Sequence, residues 1–268
     1  MSGAAFPSSL AEARPDKPRA RGQTWISLFG EGPRAVEDLL SMAGPFIDRA
    51  KLAYGSSLLA DRGTLGAIIE LLRKADVDVY PGGTLAEMSL RAGRYADLLA
   101  WARDTGFTAI EICDGVIELP SADRGRAIVQ ARDAGFRVTT VVQEVIRKPH
   151  PEVVSLRQRV ERVKEDLDAG ATHCHIVFQA MMRGETPTDV VGPIKRGEVR
   201  ALVEAAGAER LTWEATNVDD QLYYLRAIGR DANLGHVPAA TVVQLEAQRR
   251  GLGYESFWSK VWGREHWA

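Results

Sequence analysis

The sequence predicts one (βα)8 barrel of the TIM type, a single-domain α/β fold in which eight parallel strands alternate with helices. Three observations predict it. Short apolar runs alternate with longer segments whose apolar residues recur every three or four positions, which is the pattern of a parallel sheet with helical crossovers. The strand candidates number eight, and the length of 268 residues is close to the roughly 250 that such barrels use as one domain.

The segments between the predicted strands have helical periodicity and end at glycines. In Glu152–Asp168 the apolar side chains fall on one helical face. Gly106, Gly135 and Gly170 each follow a helical segment and precede a strand, as glycines at helix ends do. The predicted strands are Thr24–Phe29, Asp48–Ala53, Asp78–Tyr80, Thr108–Ile112, Arg137–Val142, His173–Phe178, Leu211–Glu214 and Ala232–Leu234.

The barrel is expected to span residues 23–268, after a flexible tail over residues 1–22. The aromatic-rich stretch after Gly253 is expected to pack on the barrel exterior or on a second subunit of a homo-oligomer. The first residues have no continuous apolar core like that of a signal peptide, and no run approaches the roughly 18 apolar residues of a membrane helix. These features predict a soluble, cytoplasmic protein.

Charge and motifs exclude several classes of function. The net charge of −2 gives no basic field for a nucleic-acid backbone or an anionic membrane, so a small-molecule substrate is favoured. Cys113 and Cys174 form no CxxC motif, which fits a reducing compartment. The absence of GxSxG, P-loop, GxGxxG and HExxH motifs argues against common hydrolases, NTPases, dinucleotide-binding enzymes and zinc proteases.

In such a barrel the active site lies at the carboxyl ends of the strands and in the loops that follow them. Polar residues at those predicted positions are therefore the candidates for chemistry. They are Lys51, Ser56, Ser57, Tyr80, Gly82, Gly83, Glu87, Glu111, Asp114, Glu144, Arg147, Lys148, Glu214, Gln221, Asn233 and His236.

The run Tyr80-Pro81-Gly82-Gly83-Thr84 has two interpretations. Its glycines allow backbone N–H groups to approach a phosphate or carboxylate at a helix start, or they form a tight strand-to-helix turn. Lys51, inside an apolar strand, either binds a substrate phosphate and stabilises an enolate or pairs with a neighbouring carboxylate of the barrel.

Acidic and imidazole side chains offer metal ligands. Glu111, Asp114, Glu144 and Glu214 could converge on Mg²⁺ or supply a general base; alternatively, some of them cap helices or pair with Arg147 and Lys148. His173 and His175 lie two apart on one strand and point the same way, a spacing that suits one metal, but satisfied core histidines are the favoured interpretation.

Several stretches, in order and across nearly the whole chain, resemble the phosphosulfolactate synthase family. They are Asp16–Arg19, Ala50–Ser57, Val79–Leu85, Gly106–Gly115, Gln143–Val145, Asp168–Ala171, Trp213–Ala215, Asn233–Gly235 and Leu245–Leu252. The resemblance implies a (βα)8 barrel that adds sulfite to phosphoenolpyruvate with Mg²⁺, in sulfonate metabolism. It places Lys51, Glu111, Glu144, Lys148, Glu214 and Asn233 at the site.

The chain departs from the family pattern at three strand ends. Leu28-Phe29-Gly30 replaces Asp-Lys-Gly, Val177-Phe178-Gln179 replaces Glu-Gly-Arg, and Val218 occupies a lysine position. Phe29, Phe178 and Met181 predict a more apolar pocket. The departures leave three alternatives: the family's sulfite addition, a related reaction on another small carboxylate, or a non-catalytic barrel with a stress-associated or ligand-binding role.

Overall fold

The computed structural model describes residues 10–143, 145–146, 152–178 and 187–262. Eight parallel strands form one sheet that curls into a nearly closed barrel, and helices alternate with the strands around it. The predicted single-domain (βα)8 fold is confirmed.

Seven of the eight barrel strands lie within one residue of their predicted ends. A short antiparallel pair, β6 with β7, stands outside the barrel. In chain order the strands are β1 (Thr24–Leu28), β2 (Arg49–Leu52), β3 (Asp78–Pro81), β4 (Ala109–Ile112), β5 (Arg137–Gln143), β6 (Val145–Ile146), β7 (Glu152–Val153), β8 (His173–Val177), β9 (Leu211–Glu214) and β10 (Leu234–Pro238).

The helices cover the outside of the barrel. In chain order they are α1 (Pro33–Ala43), α2 (Ser56–Leu59), α3 (Arg62–Lys74), α4 (Gly83–Arg91), α5 (Tyr95–Thr105), α6 (Ser121–Asp133), α7 (Leu156–Ala169), α8 (Pro187–Ala206), α9 (Val218–Ala227), α10 (Val242–Arg249) and α11 (Tyr254–Trp262). None of the helices in the described part of the chain is long and apolar enough to cross a membrane.

The strand order around the barrel is β3, β2, β1, β10, β9, β8, β5 and β4. Next to the remaining gap, the Thr108 N–H donates to the Val79 carbonyl at 2.9 Å. Alternate residues of each strand face outward, where apolar side chains such as Ile26 and Ile110 form the core with the helices. The other set faces the barrel interior, so strand residues there become candidates for chemistry.

The barrel interior is filled by aromatic and charged side chains. The Trp25 ring lies at its centre, with the Arg49 guanidinium 4.2 Å from the ring centroid. The ring centroids of His173 and Tyr80 are 5.1 and 6.5 Å from Trp25. The barrel interior is therefore filled below its mouth, which is the carboxyl end of the strands. This packing restricts chemistry to the side chains at the mouth.

The last barrel strand differs from its predicted position. It begins at Leu234, whereas Ala232–Leu234 was expected. The pairing between β1 and β10 shifts from Thr24↔Leu234 to Ile26↔Val237, so β10 contains an extra residue, which is a β-bulge. His236 lies in this bulge with a left-handed φ of 53°.

Residues 10–22 were predicted as flexible tail, and this is wrong for them. Arg14 pairs with Glu246, and the Arg19 guanidinium lies 3.1 Å from the Asp48 carboxylate. The Lys17 ammonium donates to three backbone carbonyls on the barrel. These ion pairs and hydrogen bonds hold the segment against the barrel, because buried cations require charged or polar partners.

Two helical segments also differ in detail. The helix predicted from Glu152 begins at Leu156, because Ser155 forms a capping box with Gln158, and Glu152 belongs to β7 instead. The stretch after Gly253 forms α11, which packs on the exterior through the Lys260 ammonium, 2.8 Å from Glu12. Tyr254 and Phe257 of this helix are exposed, so packing of the aromatic residues on the barrel exterior or on a second subunit stays a prediction.

Candidate active site

A buried ion pair lies at the carboxyl end of the barrel. Lys51 on β2 and Glu111 on β4 face the interior, and the Lys51 ammonium is 2.8 and 3.1 Å from the two Glu111 oxygens. Their side chains are 9% and 3% exposed. A cation here needs the carboxylate, because an unpaired buried charge is costly. Pairing with a barrel carboxylate and binding of substrate by Lys51 are therefore compatible, since the paired ammonium lies at the barrel mouth.

The two glycines after β3 make room for this pair. The Gly83 N–H donates to Glu111 Oε1 at 2.9 Å, and a Cβ on Gly83 would lie 2.9 Å from the same oxygen. A Cβ on Gly82 would lie 2.7 Å from the Tyr54 backbone nitrogen. Both positions need glycine because neighbouring atoms leave no room for a Cβ, which fits a tight strand-to-helix turn. A role of the two glycines as a substrate cradle stays a prediction.

A second cluster of ionisable side chains lies at the barrel mouth with the Lys51–Glu111 pair. His175 on β8, Glu214 on β9 and His236 on β10 each offer a ligand atom, and these atoms all lie within 4.8 Å of one another. His175 Nε2 is 3.4 Å from one Glu214 oxygen, and His236 Nδ1 is 3.8 Å from the other. His236 Nε2 is buried and has no hydrogen-bond partner among the described residues.

The protonation states of these groups follow from burial and neighbouring charge. Burial raises the pKa of Glu111, but the Lys51 ammonium and the imidazoles outweigh it and lower the pKa overall. Burial also raises the pKa of Glu214, whereas His236, His175 and Lys51 lower it to about 2. Burial lowers the pKa of His236 to about 3. At pH 7 the His236 ring is therefore neutral, and the hydrogen bond from His175 and the Lys51 charge keep Glu214 ionised.

Asp114 was expected to bind metal with Glu111 and Glu214, and the structure contradicts this. Its carboxylate is 2.9 Å from Arg162 and 3.2 Å from Arg124. It therefore belongs to an ion-pair network between the barrel and α6 and α7. It is also absent from the metal-binding cluster found among the described residues.

Asn233 was expected at the carboxyl end of the last strand, and this is wrong as well. Because β10 begins at Leu234, Asn233 lies at the opposite, amino-terminal end. Its side chain accepts from the Gln23 N–H at 3.0 Å and donates to the Leu211 carbonyl at 3.1 Å. These contacts join three strands at the bottom of the barrel.

Other candidates have varied surroundings. Ser57 is buried near the start of α2, beside the half-buried Ser56, and its hydroxyl has no partner among the described residues. Tyr80 is buried beneath the mouth, and burial raises the pKa of its phenol.

The Gln221 amide donates to the Thr241 hydroxyl at 3.0 Å. Glu87 accepts from the Val116 N–H at 2.8 Å, a loop contact. Glu144, Arg147 and Lys148 lie outside the described residues.

The sequence interpretation missed the pairing of His175 with His236. It considered His173 and His175 as neighbours on one strand, but His173 lies deeper, with Nδ1 3.1 Å from Arg49. The true partner comes from β10, where the bulge places His236 beside His175, with ring centroids 5.0 Å apart. Residue spacing along one strand carries no signal for a contact that a bulge on another strand creates.

The model of the (2R)-phospho-3-sulfolactate synthase (ComA) family matches residues 12–255. The chain belongs to this family. Phosphosulfolactate synthase of Methanothermobacter thermautotrophicus is 33% identical over 91% of this chain and 94% of its own length. That of Methanocaldococcus jannaschii is 31% identical over 88% and 94%, respectively.

Solved structures support the fold of this phosphosulfolactate synthase family member. N-acetylneuraminate lyase of Mycoplasma synoviae superposes with a TM-score of 0.57 over 91% of this chain and 79% of that chain. The sequence identity of 9% means that this likeness concerns the fold alone.

The departures from the family pattern have different surroundings in the structure. Leu28 is buried in the core between barrel and helices, and Val177 is buried at the end of β8. Phe29 is exposed beside Tyr54, with ring centroids 5.8 Å apart. Phe178 stacks on Trp213 in the outer core, so the expectation that it lines the pocket is wrong. Met181 lies outside the described residues, and Val218 begins α9.

Asp220 in the first turn of α9 predicts a pH-dependent stability. Burial, then Glu214 and Asp219, raise its pKa to about 7 from 3.8. The folded state therefore binds the proton more tightly, and this stabilisation is complete below pH 3.8 and is lost as pH rises to about 7. We expect Asp220→Asn, which keeps an acceptor for Asn217, to raise the free energy of unfolding by on the order of 3 kcal/mol at pH 8 and little at pH 4.

Urea denaturation of both proteins at pH 4, 6 and 8 measures this difference. Asp38→Asn is the control, since Asp38 is exposed on the surface of α1 and is not among the charges that raise the pKa of Asp220. Its effect should stay within about 0.5 kcal/mol. A constant difference between native protein and Asp220→Asn across the range would contradict the argument.

Proposed function

We propose that this chain is a lyase-type synthase that adds sulfite, or a related nucleophile, to phosphoenolpyruvate or a similar small carboxylate. The observation that carries the proposal is the Lys51–Glu111 pair at the barrel mouth. Both residues lie in stretches shared with the phosphosulfolactate synthase family, which matches most of the chain. A buried ammonium beside a carboxylate suits a reaction that develops negative charge on an anionic substrate.

The proposed reaction forms a carbon–sulfur bond at the methylene carbon of phosphoenolpyruvate. The electron pair of the double bond moves to the carbon that bears the carboxylate, and the extra charge spreads onto the carboxylate oxygens. A proton then adds to that carbon and gives phosphosulfolactate. Lys51 would lie against the developing charge, where a cation in a dry site stabilises it. Glu111 would hold the ammonium in place through its two short contacts.

Magnesium, expected from the resemblance, fits the described residues poorly. Mg²⁺ prefers oxygen ligands in octahedral geometry. The oxygens of Glu111 accept from Lys51 and Gly83, and those of Asp114 contact Arg124 and Arg162. Of the other two carboxylates predicted for Mg²⁺, Glu144 lies outside the described residues and Glu214 is flanked by two imidazoles. We therefore propose no step of the reaction that depends on Mg²⁺.

The test is turnover of phosphoenolpyruvate with sulfite by the purified protein, with phosphosulfolactate detected by mass. The proposal expects product at a rate proportional to enzyme concentration. Assays should run with Mg²⁺, Mn²⁺ and Zn²⁺ separately, so that an unsuitable metal does not hide activity. Absence of product with all three, from folded protein, would reject sulfite addition and favour the non-catalytic barrel or another substrate.

A further inference from the structure

We propose that His175, Glu214 and His236 form a binding site for a transition-metal dication of the Zn²⁺ class. Two imidazole nitrogens and one carboxylate are a ligand set that such ions accept, whereas Mg²⁺ selects oxygen. The inference goes beyond the proposed reaction, because it depends on side-chain geometry and not on which substrate is used.

The distances suit one ion. Around Zn²⁺, ligand atoms lie about 2.0–2.2 Å from the metal, so neighbouring ligand atoms are roughly 3.4 Å apart in a tetrahedral site. His175 Nε2 is already 3.4 Å from Glu214, and His236 Nδ1 is 3.8 Å from it. All three ligand atoms are within 4.8 Å of one another, so small side-chain rotations would close the set. Three protein ligands leave a coordination position for water or substrate, as in catalytic zinc sites.

The backbone is shaped to bring the two imidazoles together. His236 has a left-handed φ of 53°, a strained conformation for a residue other than glycine, and residues strained in this way cluster at active sites and ligand-binding sites. Leu234 is in the outer core, so plain alternation would point His236 outward as well, and the extra residue of the bulge turns the His236 side chain toward the interior instead. A Cβ on Gly235 would overlap the His175 ring, so the glycine leaves the space that this ring occupies.

An unsatisfied nitrogen is the independent observation that indicates a ligand. His236 Nε2 is buried without a hydrogen-bond partner in the described part of the chain, and Nδ1 is beyond hydrogen-bond distance from Glu214. Buried polar atoms are nearly always paired, so an unpaired one requires an explanation. A metal ion bound through Nδ1, the nitrogen that faces Glu214, would orient this ring, whereas the unpaired Nε2 indicates a separate partner such as a water or the substrate. The negative charge of Glu214 would partly neutralise the ion.

The experiment measures metal binding to the full chain and does not depend on activity. Protein is stripped with a chelator, dialysed against Zn²⁺, Mn²⁺ or Mg²⁺, and its metal content is determined by mass spectrometry. Calorimetry gives the affinities, and the visible spectrum of the Co²⁺ form reports the coordination. We expect about one Zn²⁺ per chain, bound more than about 100-fold more tightly than Mg²⁺, and a Co²⁺ spectrum with nitrogen ligands.

Matched variants locate the site. His175→Gln, His236→Asn and Glu214→Gln should each weaken Zn²⁺ binding more than about 100-fold. His173→Gln, two residues from His175 but one layer deeper beside Arg49, should keep full Zn²⁺ content. Circular dichroism of the metal-free proteins shows whether each variant is folded.

Three results would overturn the proposal. They are no Zn²⁺ binding to the native protein, unchanged binding by a folded His175→Gln/His236→Asn variant, or Mg²⁺ binding as tight as that of Zn²⁺. Because the readout is metal content, a protein that binds Zn²⁺ but makes no phosphosulfolactate rejects only the proposed reaction. A protein that makes product without binding Zn²⁺ rejects only this inference.

Discussion

Replacing Lys51 with methionine is expected to lower kcat/KM for phosphoenolpyruvate and sulfite about 100- to 1,000-fold. The ammonium is the cation closest to the proposed developing charge, and loss of one such electrostatic contact in a dry site typically has this size. Since the interaction strengthens in the transition state, the decrease should appear mainly in kcat. Steady-state kinetics with product detection by mass measures both parameters.

The ion pair complicates this variant, because Lys51→Met leaves the Glu111 carboxylate buried without its cation. We expect the free energy of unfolding to fall by about 3–5 kcal/mol. The double variant Lys51→Met/Glu111→Gln removes both charges and should recover most of that loss, while activity stays low. Comparing the two variants thus separates a structural role of the pair from a role in the reaction.

Lys74→Met is the matched control for the substitution. Lys74 is an exposed lysine that pairs with Glu70 on the surface of α3, so its loss should leave kcat/KM and stability nearly unchanged. If the double variant regained both stability and activity, Lys51 would be a structural residue. The proposed reaction would then need another cation.

The periodicity of the sequence was sufficient to predict the fold. Short apolar runs located seven of the eight barrel strands to within one residue at each end, since strands between helices are buried on their outer face and this requirement is local. Gly106 and Gly170 end their helices with left-handed φ angles of 96° and 112°, as their positions predicted. The last strand was predicted as Ala232–Leu234 but is Leu234–Pro238, because Gly235 and His236 interrupt the apolar run from which it was predicted.

The site was predictable only where strand position determines it. Lys51, Glu111 and Glu214 lie at strand ends and face the interior, and the structure brings Lys51 and Glu111 together. Asp114, three residues after Glu111 in the chain, contacts the arginines of α6 and α7 instead. The partner of a charged side chain beyond a strand depends on loop geometry, which spacing along the chain does not determine.

The second large effect is expected at Asp166, which holds a buried arginine behind the site. Arg124 is 1% exposed, and its Nε and Nη2 atoms donate to the Asp166 carboxylate at 2.8 and 2.7 Å. This carboxylate raises the pKa of Arg124 against the opposing effect of burial. We expect Asp166→Ala to lower the free energy of unfolding by about 3–5 kcal/mol, because it leaves the buried Arg124 charge with the longer Asp114 ion pair and a hydrogen bond to the Val141 carbonyl.

Urea denaturation measures the Asp166 effect. An exposed ion pair on α6, the helix that carries Arg124, provides the control. Asp123 contacts Arg126 on the surface of α6, where an ion pair contributes about 0–1 kcal/mol, so Asp123→Ala should be nearly neutral. Arg124→Met with Asp166→Leu removes both buried charges and should recover most of the loss. If Asp166→Ala stayed within about 1 kcal/mol of the native protein, the Asp114–Arg124–Asp166 network would not be what stabilises this side of the barrel. Asp114 would then be less firmly tied to the arginines, and its exclusion from the metal cluster would lose its physical reason.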